Sequence, residues 1–389
     1  MTEAATIVLP RIMKIGGGAS LELGGLLKSL GLKNPLIVTD PFMAEKGPLP
    51  PIKDALKSAG LSFRVFPGVV PDPTVASVKA GLAFLKEDSH DCVVGFGGGS
   101  SIDTAKMIAV LSVHGGEISN YKAPHLQNEP GLPIFAIPTT AGSGSEATRV
   151  SIITNEATDE KMMCPGPGFQ PTAALIDYEL SLTAPRRLTA DTGLDALTHA
   201  IEAYVSKRAN PFADGLALAA MKAIWSNLPI VCAEPGNRPA REAVMLGATQ
   251  AGMAFSNSSV ALVHGMSRPI GAFFHVPHGL SNAMLLPVVT AFSVGSATGR
   301  YATCARTIGL CDDKTSDEAA VDVLVKALTK VAIDLDVPTP KAYGIDEKKW
   351  FGVMETMAEQ ALASGSPGNN PRVPTAGEIC QLYKDVWNA

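Results

Sequence analysis

In the first half of the chain, short runs of apolar residues alternate with segments whose apolar residues recur at helical spacing. Apolar runs of this length, bounded by Gly, Pro and Asp, predict strands, and the segments between them predict amphipathic helices. Such alternation is typical of a parallel sheet flanked by helices. The predicted strands are 34–40, 61–69, 91–99, 132–140 and 173–180, the predicted helices are 49–60, 74–88 and 101–111, and 151–166 is predicted as an added hairpin.

Beyond residue 187 the pattern changes to long helical stretches. Their apolar residues keep the 3.6-residue period over 15 or more positions, as expected for packed helices (190–206, 212–228, 241–257, 318–335 and 348–362). The Pro-, Gly- and Asn-rich segment 364–374 is interpreted as a surface loop. We therefore predict an α/β domain at 1–187 and an all-α domain at 188–389.

Composition narrows the class of protein. A length of 389 residues allows two domains with ample core, and a net charge of −5 gives no reason to expect nucleic acid or an anionic membrane as partner. The N-terminal residues lack the pattern of a secretory signal, and no uninterrupted apolar run reaches the ~18 residues that span a bilayer. Six scattered cysteines without a C-x-x-C pair predict free, mostly buried thiols, so we expect a cytoplasmic protein.

Four side chains in the second half suit a metal ion. Asp195 and His199 are four residues apart in DALTH and would project from one face of a helix. His264 in LVHGM and His278 in VPHGL add two imidazoles in Gly-punctuated apolar contexts. An Asp–His pair alone is more often a surface contact, but the two further histidines favour a site for a divalent transition metal.

A Gly-rich turn in the first half suits a phosphate. GFGGGSSIDTAK at 95–106 joins an apolar strand to a helix, and Gly97, Gly98, Gly99 and Ser100 would let an anion approach the helix N-terminus. Asp40 ends a strand, where it could accept hydrogen bonds from a ribose or simply cap a helix.

PTTAGSGSEAT at 138–148 is a third polar loop after a strand. Its Thr139, Thr140 and Ser143 could bind phosphate, ribose or nicotinamide, or could satisfy their own turn. The Gly-rich segment could also be a tight turn that binds no ligand, because its spacing is not G-x-G-x-x-G.

Four motifs, GGGSSIDTAK, PTTAGSGSE, DTGLDALTHAIEAYVS and LVHGM…VPHGLSNAMLLP, follow one another along nearly the whole chain. Together they resemble the iron-containing (group III) alcohol dehydrogenase family. The resemblance implies a Rossmann-like nucleotide-binding α/β domain followed by an all-helical domain, the dehydroquinate synthase-like architecture. It also implies that the metal ligands are Asp195, His199, His264 and His278.

The resemblance further implies where NAD is bound. An acidic residue at the position of Asp40 is associated in that family with NAD rather than NADP. The implied nucleotide contacts are Asp40, Gly97, Gly98, Gly99, Ser100, Thr139, Thr140, Thr148, Lys161 and Leu180.

One position departs from the family pattern. Many members carry a second histidine four residues after the third ligand, and this chain has Arg268 there. Arginine has too high a pKa for routine proton transfer, so Arg268 is expected to attract an anionic substrate end or a cofactor phosphate. His275 is the candidate to take over proton transfer, with a solvent-facing loop histidine as the equal alternative.

The implied activity is hydride transfer between a short-chain primary alcohol or diol and NAD, with the reverse reaction reducing an aldehyde. Iron is expected from the resemblance, with Zn²⁺ or another divalent ion able to bind the same nitrogen-rich set. The alternatives are a glycerol dehydrogenase-like enzyme, a hydroxyacid or semialdehyde reductase acting through Arg268, and a non-catalytic metal- or nucleotide-binding protein. A homodimer or higher homo-oligomer is expected, with the apolar segment 6–16 as a candidate for strand pairing between copies.

Overall fold

The computed structural model describes residues 4–158 and 160–389 of the chain. Thr6–Ala184 and Pro185–Ala389 form two compact units. The first unit is α/β and the second is helical, so the predicted fold class is confirmed. The chain passes from one unit to the other at Pro185, close to the boundary at 187 expected from the sequence.

The α/β unit is built on six parallel strands in the order β1-β8-β5-β4-β2-β3. The central strand β4 is buried at every position, as expected for an apolar strand covered on both faces. A separate antiparallel hairpin, β6–β7, occupies the segment predicted as a hairpin. The strands are β1 (Ile12–Ile15), β2 (Pro35–Val38), β3 (Arg64–Phe66), β4 (Cys92–Gly97), β5 (Ile134–Pro138), β6 (Val150–Asn155), β7 (Glu160–Pro165) and β8 (Ala173–Ile176).

Strand order reverses between β2 and β4, because the chain first moves outward from β2 to β3 and then returns to the other side of β2. In open parallel sheets this reversal leaves a crevice at the carboxyl ends of the two strands. Asp40 follows β2 and the Gly-rich turn follows β4, so both lie at this end. The helices of this unit are α1 (Leu23–Ser29), α2 (Pro41–Glu45), α3 (Pro50–Ser58), α4 (Val75–Leu85) and α5 (Gly99–His114).

The helical unit begins with three long helices that pack against one another. A Cβ placed on Gly193 would lie 2.3 Å from Leu228 Cδ1, so the first two of them approach too closely for a larger residue. The segment predicted as one helix at 348–362 breaks into two beside Val353. The helices are α6 (Arg186–Val205), α7 (Pro211–Ala233), α8 (Arg238–Ser256), α9 (Leu262–Phe274), α10 (His278–Ser293), α11 (Thr298–Thr307), α12 (Asp317–Asp334), α13 (Pro340–Tyr343), α14 (Glu347–Gly352), α15 (Met354–Ala363) and α16 (Ala376–Trp387).

The segment 364–374 is not the simple surface loop expected from its composition. It contains a 3₁₀ helix at Ser366–Asn369, and both Ser366 and Asn370 are buried. The Asn370 amide donates to Ser293 Oγ at 2.9 Å, and a Cβ on Gly265 would meet Pro367 at 2.7 Å. Composition misled the prediction because these polar residues find their partners in distant helices.

Two helices, α7 and the stretch His278–Ser296 that includes α10, are long and apolar enough to cross a membrane by length and composition alone. Core helices of soluble proteins meet the same criterion. Both helices here pack against other helices of their unit, α7 on α6 and α8, and α10 on α6 and α9.

Candidate metal centre and dinucleotide site

Three helices bring the four expected metal ligands together. Asp195 and His199 lie one turn apart on α6, His264 lies in the first turn of α9, and His278 is the first residue of α10. Ligand atoms of Asp195, His199 and His264 all lie within 4.8 Å of one another. His278 Nε2 is 3.9 Å from Asp195 Oδ1, and this histidine is the most exposed of the four, with 38% of its side chain accessible.

The rings of these histidines are held by packing. His199 lies between two rings, with centroids 4.3 Å from Phe255 and 4.3 Å from His264, and both pairs are stacked. His264 Nε2 is 3.5 Å from Asp195 Oδ1. Because the side chains of His199 and His264 are stacked and buried, their ligand atoms are held in place without a large loss of side-chain freedom on binding an ion.

Asn282, which the sequence did not single out, marks the point where these atoms converge. Its Nδ2 lies 2.6 Å from Asp195 Oδ1, 3.1 Å from His264 Nε2 and 3.2 Å from His278 Nε2. Its Oδ1 is buried without a hydrogen-bond partner among the described residues. Ligand atoms of Asp195, His199 and His264 cluster together and His278 lies beside Asp195, so this set of one carboxylate and three imidazoles fits a divalent transition metal. The usable signal in the sequence was the spacing of Asn282, four residues after His278.

Glu202 is a second residue that the sequence did not single out. It is buried on α6, and its carboxylate accepts hydrogen bonds from Ala261 N at 2.8 Å, Val263 N at 2.6 Å and His264 Nδ1 at 2.6 Å. Its partners lie about 60 residues further along the chain, so no local pattern could have paired them. Its only sequence signal is its place on the same helix as Asp195 and His199.

The buried carboxylates at this centre favour binding of a cation. Burial raises the pKa of Asp195, but the three neighbouring imidazoles lower it more, so this pKa lies well below its ordinary value. Burial lowers the pKa of His264, but the carboxylates of Glu202 and Asp195 more than reverse this and raise the pKa to about 9. Two buried carboxylates, Asp195 and Glu202, therefore face the imidazoles here, and a bound cation would compensate their charge.

The two candidate catalytic residues have different settings. Arg268 lies one turn after His264 on α9, is partly buried, and donates from Nη1 to Ser366 Oγ at 3.0 Å. Burial lowers its pKa, with Glu202 opposing. His275 is exposed and ends α9 in the left-handed conformation, with φ of 54°. That backbone is strained for a residue other than Gly.

At the dinucleotide end, the Gly-rich turn is surrounded by the expected polar residues. A Cβ added to Gly97 would lie 3.6 Å from Asp40 Oδ2, and a Cβ added to Gly98 would lie 3.6 Å from Thr140 Oγ1. A Cβ added to Gly99 would lie 3.0 Å from Ser143 Oγ. Helix α5 starts at Gly99 after Gly98, and no side chain among the described residues caps it. Its first amides are thus available for an anion.

Asp40 caps a helix, which is one of the two functions considered for it. Its Oδ1 accepts from Met43 N at 3.0 Å and caps α2, whereas its Oδ2 faces the Gly-rich turn. Thr139 is buried, and its Oγ1 has no partner in the described ranges 4–158 and 160–389, as expected of a group that awaits a ligand.

The remaining three expected contacts have protein partners. Thr148 Oγ1 and its carbonyl oxygen accept from Lys106 Nζ at 3.0 and 2.9 Å. Lys161 Nζ pairs with Asp72 at 2.6 Å, and Leu180 packs in the apolar core beneath the sheet. Their assignment as nucleotide contacts stays a prediction. Lys106, which the sequence left unassigned, holds the loop that carries Thr148.

Comparison with known proteins matches both halves of the chain to one family. The model of "Iron-containing alcohol dehydrogenase" matches residues 10–178, and that of "Fe-containing alcohol dehydrogenase family, C-terminal" matches residues 189–387. The chain is 37% identical to the NAD-dependent methanol dehydrogenase of Bacillus methanolicus over 379 residues, which covers 97% of this chain and 98% of the relative.

Two solved structures extend the comparison. A 1,3-propanediol oxidoreductase superposes with a TM-score of 0.95 at 33% identity, over 99% of this chain and 100% of the other. The sulfoacetaldehyde reductase from Bifidobacterium kashiwanohense in complex with NAD⁺ superposes with a TM-score of 0.89 at 28% identity, over 100% of both chains.

Proposed function

The chain belongs to the iron-containing alcohol dehydrogenase family and is an oxidoreductase acting on CH–OH donors, and we propose that it interconverts short-chain primary alcohols or diols and their aldehydes with NAD. The observation that carries the proposal is the convergence of one carboxylate and three imidazoles in the helical unit. Two relatives act on small alcohols by name, a methanol dehydrogenase and a 1,3-propanediol oxidoreductase.

We propose that Asp195, His199, His264 and His278 hold Fe²⁺, with Zn²⁺ or another divalent ion able to bind in its place. When bound, the ion supplies Lewis acidity that favours an ionised substrate hydroxyl over a neutral one. One carboxylate with three neutral imidazoles leaves a net charge near +1, which preserves that effect. Phe255, stacked on His199, excludes water from one side of the site.

The residues proposed to hold NAD are those around the Gly-rich turn. When bound, NAD⁺ would supply the hydride acceptor for alcohol oxidation, and NADH would supply the hydride donor for aldehyde reduction. Gly97, Gly98, Gly99 and Ser100 would cradle the pyrophosphate at the start of α5, with Thr139, Thr140 and Ser143 beside them. Asp40 would accept from the ribose hydroxyls and repel a 2′-phosphate, which favours NAD over NADP. His275 is the proposed proton-exchanging group, because it lies three residues before His278.

The direct test follows absorbance of NADH with full-length protein of quantified metal content and a panel of short alcohols and aldehydes. We expect turnover with NAD and little with NADP. His264→Ala should lose activity and bind the metal much more weakly. No turnover by metal-replete protein would favour a non-catalytic binding protein, and retained activity in His264→Ala would refute that ligand.

Iron and zinc are separated by redox chemistry. If the bound ion is iron, peroxide should inactivate the enzyme and a ferrous salt with reductant should restore it. Insensitivity to both treatments would exclude iron and favour zinc or another redox-inactive divalent ion.

A second substrate class, short aldehydes with an anionic end, is favoured by Arg268. This guanidinium has one hydrogen bond, to Ser366, and no carboxylate within salt-bridge distance among the described residues. A partly buried cation without an anion is an energetically poor arrangement that a substrate carboxylate or sulfonate would relieve.

The test compares succinic semialdehyde with pentanal, a neutral aldehyde of similar overall length. Arg268→Met should lower kcat/KM for the anionic aldehyde roughly tenfold or more and leave the neutral one nearly unchanged. Equal losses for both aldehydes would assign Arg268 a structural function, and a raised KM for NADH with both would assign it to the cofactor.

We also propose a homodimer in a reducing compartment, the cytoplasm. Strand β1 forms one edge of the sheet, and Ile15 at its end is 49% exposed, so a second copy could extend the sheet there. All six cysteines are free. Elution at the mass of one chain in size-exclusion chromatography would contradict the proposed homodimer.

A further inference from the structure

Glu202 lies on the helix that carries two of the four metal ligands. Asp195, His199 and Glu202 follow one another at spacings of four and three residues on α6, so they lie on one face of it. The Glu202 side chain is only 4% exposed. A carboxylate buried this deeply must be satisfied by hydrogen bonds or opposite charge.

The first two partners of Glu202 are backbone amides at the start of α9. Ala261, the residue before this helix, has no side chain that could cap it, and the amides of Ala261 and Val263 donate to Glu202 instead. A carboxylate at a helix N-terminus satisfies free N–H groups and interacts favourably with the helix dipole. Glu202 thus sets where α9 begins relative to α6.

The third partner is the metal-facing histidine itself. His264 Nδ1 lies 2.6 Å from Glu202 Oε2, and since a carboxylate only accepts, Nδ1 must carry the proton. In the neutral ring this leaves the lone pair on Nε2, the atom that is 3.5 Å from Asp195 Oδ1. The hydrogen bond therefore determines which nitrogen can bind an ion.

We infer that Glu202 is a positioning residue for the metal centre, which fixes the tautomer and ring orientation of His264 and the start of α9. The inference rests on the proposed metal-dependent function. Outer carboxylates of this kind typically change metal affinity by about 10–100-fold, because they orient the ligand and make it more basic.

Glu202→Gln is the informative substitution. The new amide can adopt two orientations. In the first its nitrogen faces the Val263 N–H, and in the second it faces the N–H groups of Ala261 and His264. The second orientation forces the other tautomer of His264, with the proton on Nε2. Asp191→Asn serves as the matched control, because Asp191 is a buried carboxylate on the same helix that pairs with Arg187 and not with a histidine.

The experiment removes metal from the full-length protein and titrates Co²⁺, whose visible absorption reports both affinity and ligand geometry. We expect Glu202→Gln to bind Co²⁺ about 10–100-fold more weakly with an altered spectrum, and Asp191→Asn to bind it like the wild type. Unchanged affinity and spectrum in Glu202→Gln would overturn the inference, even if its melting temperature falls. Should Glu202→Gln not fold, Glu202→Asp replaces it, with the same expectations, because its shorter side chain cannot reach His264.

A double-mutant comparison isolates the path through His264. In a His264→Ala background, Glu202→Gln should weaken Co²⁺ binding little further, whereas in a His199→Ala background it should keep its full effect. Equal effects in the two backgrounds would show that Glu202 does not act through His264 and would also overturn the inference. Because metal binding is read directly, a chain that binds Co²⁺ but oxidises no alcohol would contradict the proposed function and leave this result intact.

Discussion

Lys106 illustrates how far a single residue can be understood from the sequence. It closes the motif GGGSSIDTAK, and its side chain is completely buried. Its Nζ donates to Ser145 Oγ, to the carbonyl and hydroxyl of Thr148 and to Val150 O, at 2.8–3.2 Å. Burial lowers its pKa to about 8, with Asp103 and Glu146 opposing. A lysine in a helical pattern predicts a solvated face, and only the fold reveals the oxygens around it.

We expect Lys106→Met to destabilise the protein by about 3–5 kcal/mol, because the nearby Asp103 and the four oxygens would lose their cation. NADH binding should weaken as well, since the loop carrying Thr148 is no longer held. Urea unfolding and fluorescence titration of NADH measure the two effects. Lys79→Met, which removes an exposed ion pair with Glu117, is the control and should lower the free energy of unfolding by less than about 1 kcal/mol. A similar cost for both variants would contradict the prediction.

The cysteines give a second test at this scale. Cys92, Cys164, Cys232 and Cys304 are buried, and burial raises the pKa of Cys164 and of Cys304 to about 12. Cys311 and Cys380 are partly exposed. At pH 8 we expect a thiol reagent such as Ellman's to modify two thiols in the native protein and the other four only in denaturant. Fast reaction of all six would show that the core opens readily.

The metal centre was predictable residue by residue only in part. Asp195 and His199 are identified by their spacing, and His264 and His278 by their chemistry and their family motifs. Glu202 was missed because its partners lie 59–62 residues away in the chain, and Asn282 was missed because two of its three partners, His264 and Asp195, lie 18 and 87 residues away. Contacts at such separations are decided by helix packing, which a local pattern does not encode.

At the scale of elements, periodicity predicted most helices and strands well and their ends less well. The strand expected at 61–69 is confined to Arg64–Phe66. Segment 6–16 was considered only for strand pairing between copies, and its residues Ile12–Ile15 form β1, which pairs with β8 of the same chain. The contact between α6 and α10 could not be predicted from the sequence either. It depends on Gly279, where a Cβ would lie 2.6 Å from the Asp191 carbonyl oxygen and 3.4 Å from Asp195 Cβ.

Gly279→Ala tests that contact. The added methyl should push α10 away from α6 and move His278 from Asp195, so we expect metal affinity to fall by about tenfold and stability by about 1–3 kcal/mol. Chelator competition and thermal unfolding are the measurements. Gly295→Ala is the matched control, because a Cβ there meets nothing within 4 Å. Unaltered metal affinity in Gly279→Ala would show that α10 adapts to the methyl group.

At the scale of the whole molecule, the fold class followed from the change in pattern near residue 187, and the two units differ in class as expected. The expected metal ligands all belong to Pro185–Ala389, and the residues around the Gly-rich turn all belong to Thr6–Ala184. Each ligand should therefore stabilise first the unit whose residues bind it.

Hydrogen exchange measures this directly. A divalent ion at about 100 times its Kd should slow exchange about 100-fold in α6 and in the first turns of α9 and α10, and NADH should do so around 97–100 and 138–148. The protein without either ligand is the reference. Slowing spread evenly over the chain by either ligand would show that the two units open together.

The link between α9 and α10 has a consequence for how relatives of this chain can vary. Only residues 275–277 separate the helix that carries His264 from the one that begins with His278, and the strained backbone of His275 makes the turn. An inserted residue there would change the rotation of one helix against the other and carry an imidazole out of reach of its ion. We expect evolutionary changes in loop length, and with them changes in substrate range, to fall outside this short span.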